Sequence, residues 1–436
     1  MKSIIEKFEI NDIQKFKQQM LSWANQFNIC CFLDNNNYSS SYNSFECIAA
    51  VAEKISFTSD HNSNVLDSFS NFIETNSDWV FGHFSYDFKN YIFPFQSKNF
   101  DGIKAPEVSL FIPDIVVQIN EKNVTINSKK KSPTEIFKSI CEIEIGEHLS
   151  SSEKINIQSR FSKSEYCNNI NQLKNHIQQG DCYEINFCQE FFAENIEINA
   201  LKIYQELNCI SPNPFSTFYK FKNIYLLGAS PERFIKKVGN KIISQPIKGT
   251  IKRDVDNIEE DALLKLQLQH SEKEKSENVM IVDLVRNDLS KIAKRNSVTV
   301  DELFGIYTFP QVYQMISTVS ATIKEKLNVV DILKALFPMG SMTGAPKYKV
   351  MQLIEHYEKA KRGLYSGTIG YINPDNDFDF NVVIRSIAYN KEKKYLSYQV
   401  GSAITNKSIA EDEYAECLLK AKAIENVLKK INAPPK

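Results

Sequence analysis

Glu232 and Lys248 are the first residues whose types and spacing could do chemistry. They flank a stretch that reads as a hairpin, ERFIKKV and KIISQPIKG, turning at Gly239-Asn240. Counting outward from that turn puts Glu232 opposite Ile247 or Lys248, with carboxylate and ammonium about 5 Å apart across the strand pair. Such a pair is either an ordinary cross-strand ion pair or a reactive one. Lys248 stands between apolar Ile247 and small Gly249, where a ligand can come close. A second hairpin, NVVIRSIAYN and YLSYQVGSAIT around KEKK, sets Arg385 beside Val400 and Gly401. A guanidinium fork beside glycine amides suits a carboxylate; a plain arginine on a strand is the even alternative. Glu274 and Glu277 lie three apart on one helical stretch, and Glu413 and Glu416 repeat that spacing on the last one. Either pair alone reads as a solvated face. Set opposite each other, the four carboxylates would repel unless a divalent cation lay between them. A hard Mg²⁺, held by one or two carboxylates, waters and substrate oxygens, suits them.

These groups need a scaffold that brings distant segments together. SEYCNNINQLKNHIQQGD reads as an amphipathic helix and YEINFCQEFFAE as a strand, followed by IYLLGAS and the first hairpin. DALLKLQLQHSEKEKSENVMIVDLVRNDLSKIA is largely helical, and AEDEYAECLLKAKAIENVLKK is a final long helix. The segment PMGSMTGAPK (338–347) is a glycine-rich loop entering a helix, able to offer backbone N–H groups to an anion. Ala345 breaks the spacing of a nucleotide-binding P-loop. The first 150 residues mix strand and helix runs without a catalytic cluster, and His83 and Asp87 read as structural there. The polar stretch 34–46 reads as a surface loop, and KKKSP (129–133) and GEHLSSSEK (146–154) as linkers. The expected division is therefore an N-terminal region, 1–150, and a catalytic region, 155–432, with a frayed NAPPK tail. The fold class is α/β (α+β) with extensive antiparallel sheet.

A formal charge of −1 gives no bulk attraction for nucleic acid or an anionic membrane, so an anionic substrate must meet a few placed cations. The charged start MKSIIEKFEINDIQKF is no signal peptide, and no run of eighteen apolar residues occurs. Nine scattered cysteines without a C-x-x-C read as reduced thiols, and the expected location is the cytoplasm.

Taken together, GDCYEINFCQ, ASPERF, QPIKGT, SEKEKSENVMIVDLVRND, GSMTGAPK, YSGTIGYI, NVVIRS and EDEYAECLLKA occur in the order found in the chorismate-utilising enzymes. That family includes the large subunits of anthranilate synthase and aminodeoxychorismate synthase, and the isochorismate and salicylate synthases. The resemblance is dense over 160–428, with a weaker match at WVFGHFSYDFKN. It implies large antiparallel sheets in a sandwich flanked by helices, with the site between them. It also implies roles: Glu232 as the acid that protonates the departing C4 hydroxyl, and Glu277 and Glu416 as Mg²⁺ ligands, with Glu274 and Glu413 in or near that shell. Arg385 and the amides around Gly401, Ser402 and Ala403 would grip the enolpyruvyl carboxylate. Gly367 and Thr368 would line the ring pocket, near Gly249 and Thr250.

Two positions divide the family. Where water-adding members carry a lysine and amine-adding members commonly glutamine, this chain has Glu184. Where anthranilate synthases carry alanine, aminodeoxychorismate synthases carry lysine, here Lys248. The resemblance thus implies amination of chorismate at C4, towards p-aminobenzoate and folate, with ammonia from a separate glutaminase. Lys248 would attack C2 and ammonia would then displace it at C4, which calls for a lowered lysine pKa and a protonated Glu232. Gln314 stands where relatives carry a histidine, leaving acid work to Glu232. No clear tryptophan-feedback motif is present. Anthranilate synthase is the alternative; isochorismate or salicylate synthesis, or a binding protein without activity, are the remoter ones.

Overall fold

Side-chain alternation along the strands sets the layers. The computed structural model describes residues 3–38, 42–59, 64–146 and 155–431. In the strand Ile29–Asp34, Ile29 and Cys31 face one core while Cys30 and Phe32 face another, and Ile48/Ala50 against Ala49/Val51 repeat this on Cys47–Thr58. The core holding Ile29, Phe81, Phe111, Tyr219, Leu226, Ile369 and Tyr371 lies between strand layers. Outside it, one apolar layer is closed by helices that include Ile13–Ala24, Lys163–Gln178, Ala200–Ile210 and Ala410–Ile431. The opposite layer is closed by Val65–Thr75, Glu272–Ile292 and Val329–Leu336. The result is the expected sandwich of antiparallel sheet with helices on both outer faces.

The strands cross the expected division. Ile29–Asp34 pairs with Phe215–Phe221, and Val80–Phe84 pairs with Thr368–Ile372, so the N- and C-terminal stretches share their sheets. The linker at 146–154 lies outside the described residues from 147 onward, as do residues 39–41 of the polar loop and the tail from 432. His83 is buried between the Tyr219 hydroxyl (3.1 Å) and the Pro106 carbonyl (3.0 Å), and burial pushes its pKa down to about 4.

The first hairpin turns where the sequence places it, with Val238 opposite Lys241 and Gly239 at φ +55°. Its outer part differs. Pro246, with no N–H for a ladder, separates Lys241–Gln245 from Ile247–Lys252; both pair with Val312–Thr322, but pairing with Arg233–Val238 ends at Arg233 opposite Gln245. Glu232 therefore ends opposite neither Ile247 nor Lys248; it sits in the connection between Ile224–Ser230 and Arg233–Val238. In the second hairpin the register is as read, Ile387 facing Tyr398 and Asn390 facing Tyr395. Arg385 lies just before that strand, at φ +50°, and leaves the ladder.

Candidate active site

Glu232 is buried, and its connection is pinned by backbone. The Val382 N–H donates to the Glu232 carbonyl at 3.0 Å, and the Ser230 hydroxyl accepts from the Glu232 N–H at 3.3 Å. Its carboxylate accepts a hydrogen bond from the Ser341 hydroxyl at 2.6 Å. Burial raises the pKa to about 7, against the lowering effects of Ser341 and Lys248. At that value the group can hold a proton near neutrality and release it.

Lys248 donates to Glu184 Oε1 at 2.7 Å, with side chains 11% and 2% exposed. Burial acts to lower the lysine pKa, but Glu184, then Glu277 and Glu232, outweigh it and raise it. The structure thus reverses the expected lowering, because the nearest group is a carboxylate and not a glutamine amide. Asn278, buried on the helix Glu272–Ile292, donates to the Lys248 carbonyl at 3.3 Å and to Met315 at 3.4 Å, fixing the strand under the lysine. Gly249, at φ +96°, occupies backbone that side chains rarely adopt, and a Cβ there would make tight 3.2 Å contacts with both Glu274 and Met315. The close neighbour of Gly249 is therefore Glu274. Thr250 pairs directly with Gln314, whose buried amide oxygen has no partner.

The glutamate pairs sit on two helices, Glu272–Ile292 and Ala410–Ile431. Burial raises Glu274, and the negative charge of Glu416 adds to the rise, so the two helices do bring carboxylates together. Glu277 is raised by burial and by Glu274. Desolvation acts to raise Glu416, but Lys420 at 2.7 Å outweighs it and holds it low. Glu413 is buried but is not among the charges acting most strongly on the other three. Among the described residues, no three His, Cys, Asp or Glu are gathered as a metal cage. The donor chemistry still fits a hard cation: oxygen only, with Glu274 repelled by Glu416 and Glu277 by Glu274, and Glu416 open to solvent.

Arg385 has no carboxylate partner. Burial alone acts on it, lowering its pKa, with no charged neighbour among the described residues to offset it. The strand Tyr395–Ile404 runs past the end of its partner Ser386–Asn390, so Gly401, Ser402 and Ala403 are paired only with Cys188, Phe187 and Asn186 on the other side. The unpaired edge and the unpaired guanidinium together suit an anion. The side-chain face of Gly401 is filled by Cys188, whose sulfur would lie 2.4 Å from a Cβ, and its carbonyl accepts from Lys420 at 3.0 Å. Thr368 spends its hydroxyl on the Asn381 carbonyl, and Gly367 is packed under Phe84 and Ser85.

Several positioning residues escaped the reading of the sequence. GSMTGAPK serves as a brace. Ser341 reaches Glu232, and the Asn186 N–H donates to the Thr343 carbonyl at 2.7 Å. Gly344 crosses Glu184 so closely that a Cβ would lie 2.0 Å from its carbonyl. Lys347 is buried against Asp288 at 2.5 Å and Leu336 O at 2.8 Å, unavailable to a ligand. Arg362, paired with Glu358 at 2.6 Å, donates to the carbonyls of Met342 (2.6 Å) and Asn186 (2.8 Å), tying brace and strand together.

Residues 28–426 match the chorismate binding enzyme family. The chain belongs to that family. Among curated members, "Probable aminodeoxychorismate synthase, chloroplastic" of Oryza sativa is 40% identical over 270 residues, 61% of this chain and 30% of that protein. "Aminodeoxychorismate synthase component 1" of Escherichia coli is 36% identical over 273 residues, 63% of this chain and 59% of that protein. The matched part thus spans less than two thirds of these relatives' own length. In solved structures, anthranilate synthase component I from Streptococcus pneumoniae superposes with a TM-score of 0.73 at 23% identity, covering 96% of this chain and 92% of that one. The chorismate-binding fold therefore extends over nearly the whole chain.

Proposed function

We propose that this member of the family aminates chorismate at C4, giving 4-amino-4-deoxychorismate, with ammonia delivered by a partner glutaminase. The observation that carries the reading is Lys248, a buried amine at the position that separates C4 from C2 amination, within electrostatic reach of the high-pKa acid Glu232. The names of the curated relatives support it. Arg385, with no charged neighbour among the described residues, takes a substrate carboxylate. The neutral Lys248 amine attacks C2, the ring double bonds shift, and C4–O breaks as Glu232 gives its proton to the leaving hydroxyl. Ammonia then bonds to C4, and the lysine leaves C2 as an amine. Gln314, buried beside the strand that carries Lys248, can hold a substrate hydroxyl by a hydrogen bond without exchanging protons. Glu277 and Glu416, with Glu274 and Glu413 close by, would hold Mg²⁺, which when bound supplies positive charge for the ring carboxylate.

Product analysis tests the reading. The chain is incubated with chorismate, Mg²⁺ and an ammonium salt, and products are resolved by chromatography and mass. Aminodeoxychorismate is expected; anthranilate as the sole product would mean that nitrogen enters at C2 despite Lys248.

A further inference from the structure

Glu184 departs from the residue that amine-adding relatives commonly carry, and it touches the proposed nucleophile. Its Oε1 takes the Lys248 proton in a 2.7 Å hydrogen bond. Its Oε2 is buried and has no hydrogen-bond partner among the described residues, so the carboxylate keeps an unused acceptor. Its backbone is clamped: Ala345 and Gly344 pair with Glu184 and Ile185, and Gly344 passes against its carbonyl. The Glu184 backbone is thereby held beside the strand that carries the lysine. The charged groups that feel Lys248 are Glu184 from the strand Glu184–Ala193, Glu277 and Glu274 from the helix Glu272–Ile292, Glu416 from the helix Ala410–Ile431, and Glu232 from the connection before Arg233. Among the described residues, only Glu184 is hydrogen-bonded to the amine.

From this geometry we infer that Glu184 is the proton acceptor that converts the resting Lys248 ammonium into the attacking amine. The inference rests on the covalent reading above. The proton on Nζ passes to Oε1, leaving a neutral amine and a neutral carboxylic acid. The amine lone pair forms the N–C2 bond, the ring double bonds shift, and C4–O breaks with the Glu232 proton leaving in water. When ammonia bonds to C4, the C2–N bond breaks and the lysine departs as a neutral amine that recovers its proton from Glu184, while the new C4 ammonium returns one proton to Glu232. No oxidant or further co-reactant is required. The raised lysine pKa fits a resting ion pair whose proton has one short path out.

The test compares Glu184→Gln and Glu184→Asp with wild type across pH 6 to 9, reading kcat/KM for chorismate at fixed free ammonia as a ratio to wild type. Taking the ratio cancels titrations common to all three proteins. Glutamine keeps the hydrogen bond but accepts no proton, so the lysine must lose its proton to solvent. The Glu184→Gln ratio is expected to be tenfold or more below one at pH 6 and to climb towards one as pH rises. The Glu184→Asp ratio is expected to stay flat with pH. A Glu184→Gln ratio near one throughout, or loss of activity in both variants at every pH with folding intact by circular dichroism, overturns the acceptor role while leaving Lys248 as nucleophile. If Lys248→Ala also forms aminodeoxychorismate at the wild-type rate, the covalent reading itself has failed.

Discussion

Glu232 can act as an acid only while protonated, and burial places its pKa at about 7, above the ordinary 4.5 of a glutamate. The sign follows directly: below that value the carboxyl holds its proton and the rate is full, and above it the rate falls about tenfold per pH unit. With ammonium adjusted to constant free ammonia, kcat is expected to show this descending limb. Glu232→Gln is expected to abolish the limb and cost about 10²–10⁴-fold in rate; a limb that persists in the variant would assign it to another group. Arg385 is the second residue whose environment asks for a ligand, since its buried charge meets no carboxylate. Arg385→Ala is expected to lower kcat/KM for chorismate by about 10–150-fold, the equivalent of the roughly 1.5–3 kcal/mol of a hydrogen bond to a charged group. Steady-state kinetics would show a smaller loss if the guanidinium lies outside the binding site. These residues were legible from their types and order. The direction of the Lys248 shift was not, because it depends on Glu184, 64 residues away, closing to 2.7 Å.

At the scale of elements, the brace between Gly340–Met342 and the strand Glu184–Ala193 decides where the two reactive carboxylates stand. Its keystone is the buried Arg362–Glu358 pair on the carbonyls of Met342 and Asn186. Glu358→Gln leaves the guanidinium buried without its counter-charge and is expected to cost about 3–5 kcal/mol of stability by urea unfolding. A loss under 1 kcal/mol would show that the pair is not what ties the brace. Hairpin turns and the register of the second hairpin could be read locally, since strand periodicity and a glycine turn fix them. The break at Pro246 was visible as a residue but its consequence was not. Which strand takes up Ile247–Lys252 is decided by the distant Val312–Thr322. The bracing role of GSMTGAPK was hidden for the same reason: glycine suits many close approaches, and only the position of the Glu184 carbonyl shows that Gly344 makes a chain crossing.

On the scale of the whole molecule, two helices from distant parts of the chain carry carboxylates towards one another, and the sheets that support them include N-terminal strands. The repulsion between Glu274 and Glu416 is a cost that a divalent cation removes. Mg²⁺ at about a hundred times its dissociation constant is expected to stabilise the chain by about 2.7 kcal/mol. A rise in unfolding midpoint that chelation reverses, and that is lost in Glu277→Gln, would bear this out; an unchanged midpoint would contradict it. No described helix is long and apolar enough to cross a membrane.

The central claim is that Lys248 bonds to chorismate, and intact-protein mass spectrometry measures it most directly. The chain is mixed with chorismate and Mg²⁺, without ammonia, and quenched. A mass increase equal to chorismate less one water, located on the Lys248 peptide and missing from Lys248→Ala, is the predicted result. No adduct at any time, with Lys248→Ala still forming aminodeoxychorismate from added ammonium at the wild-type rate, would contradict the account.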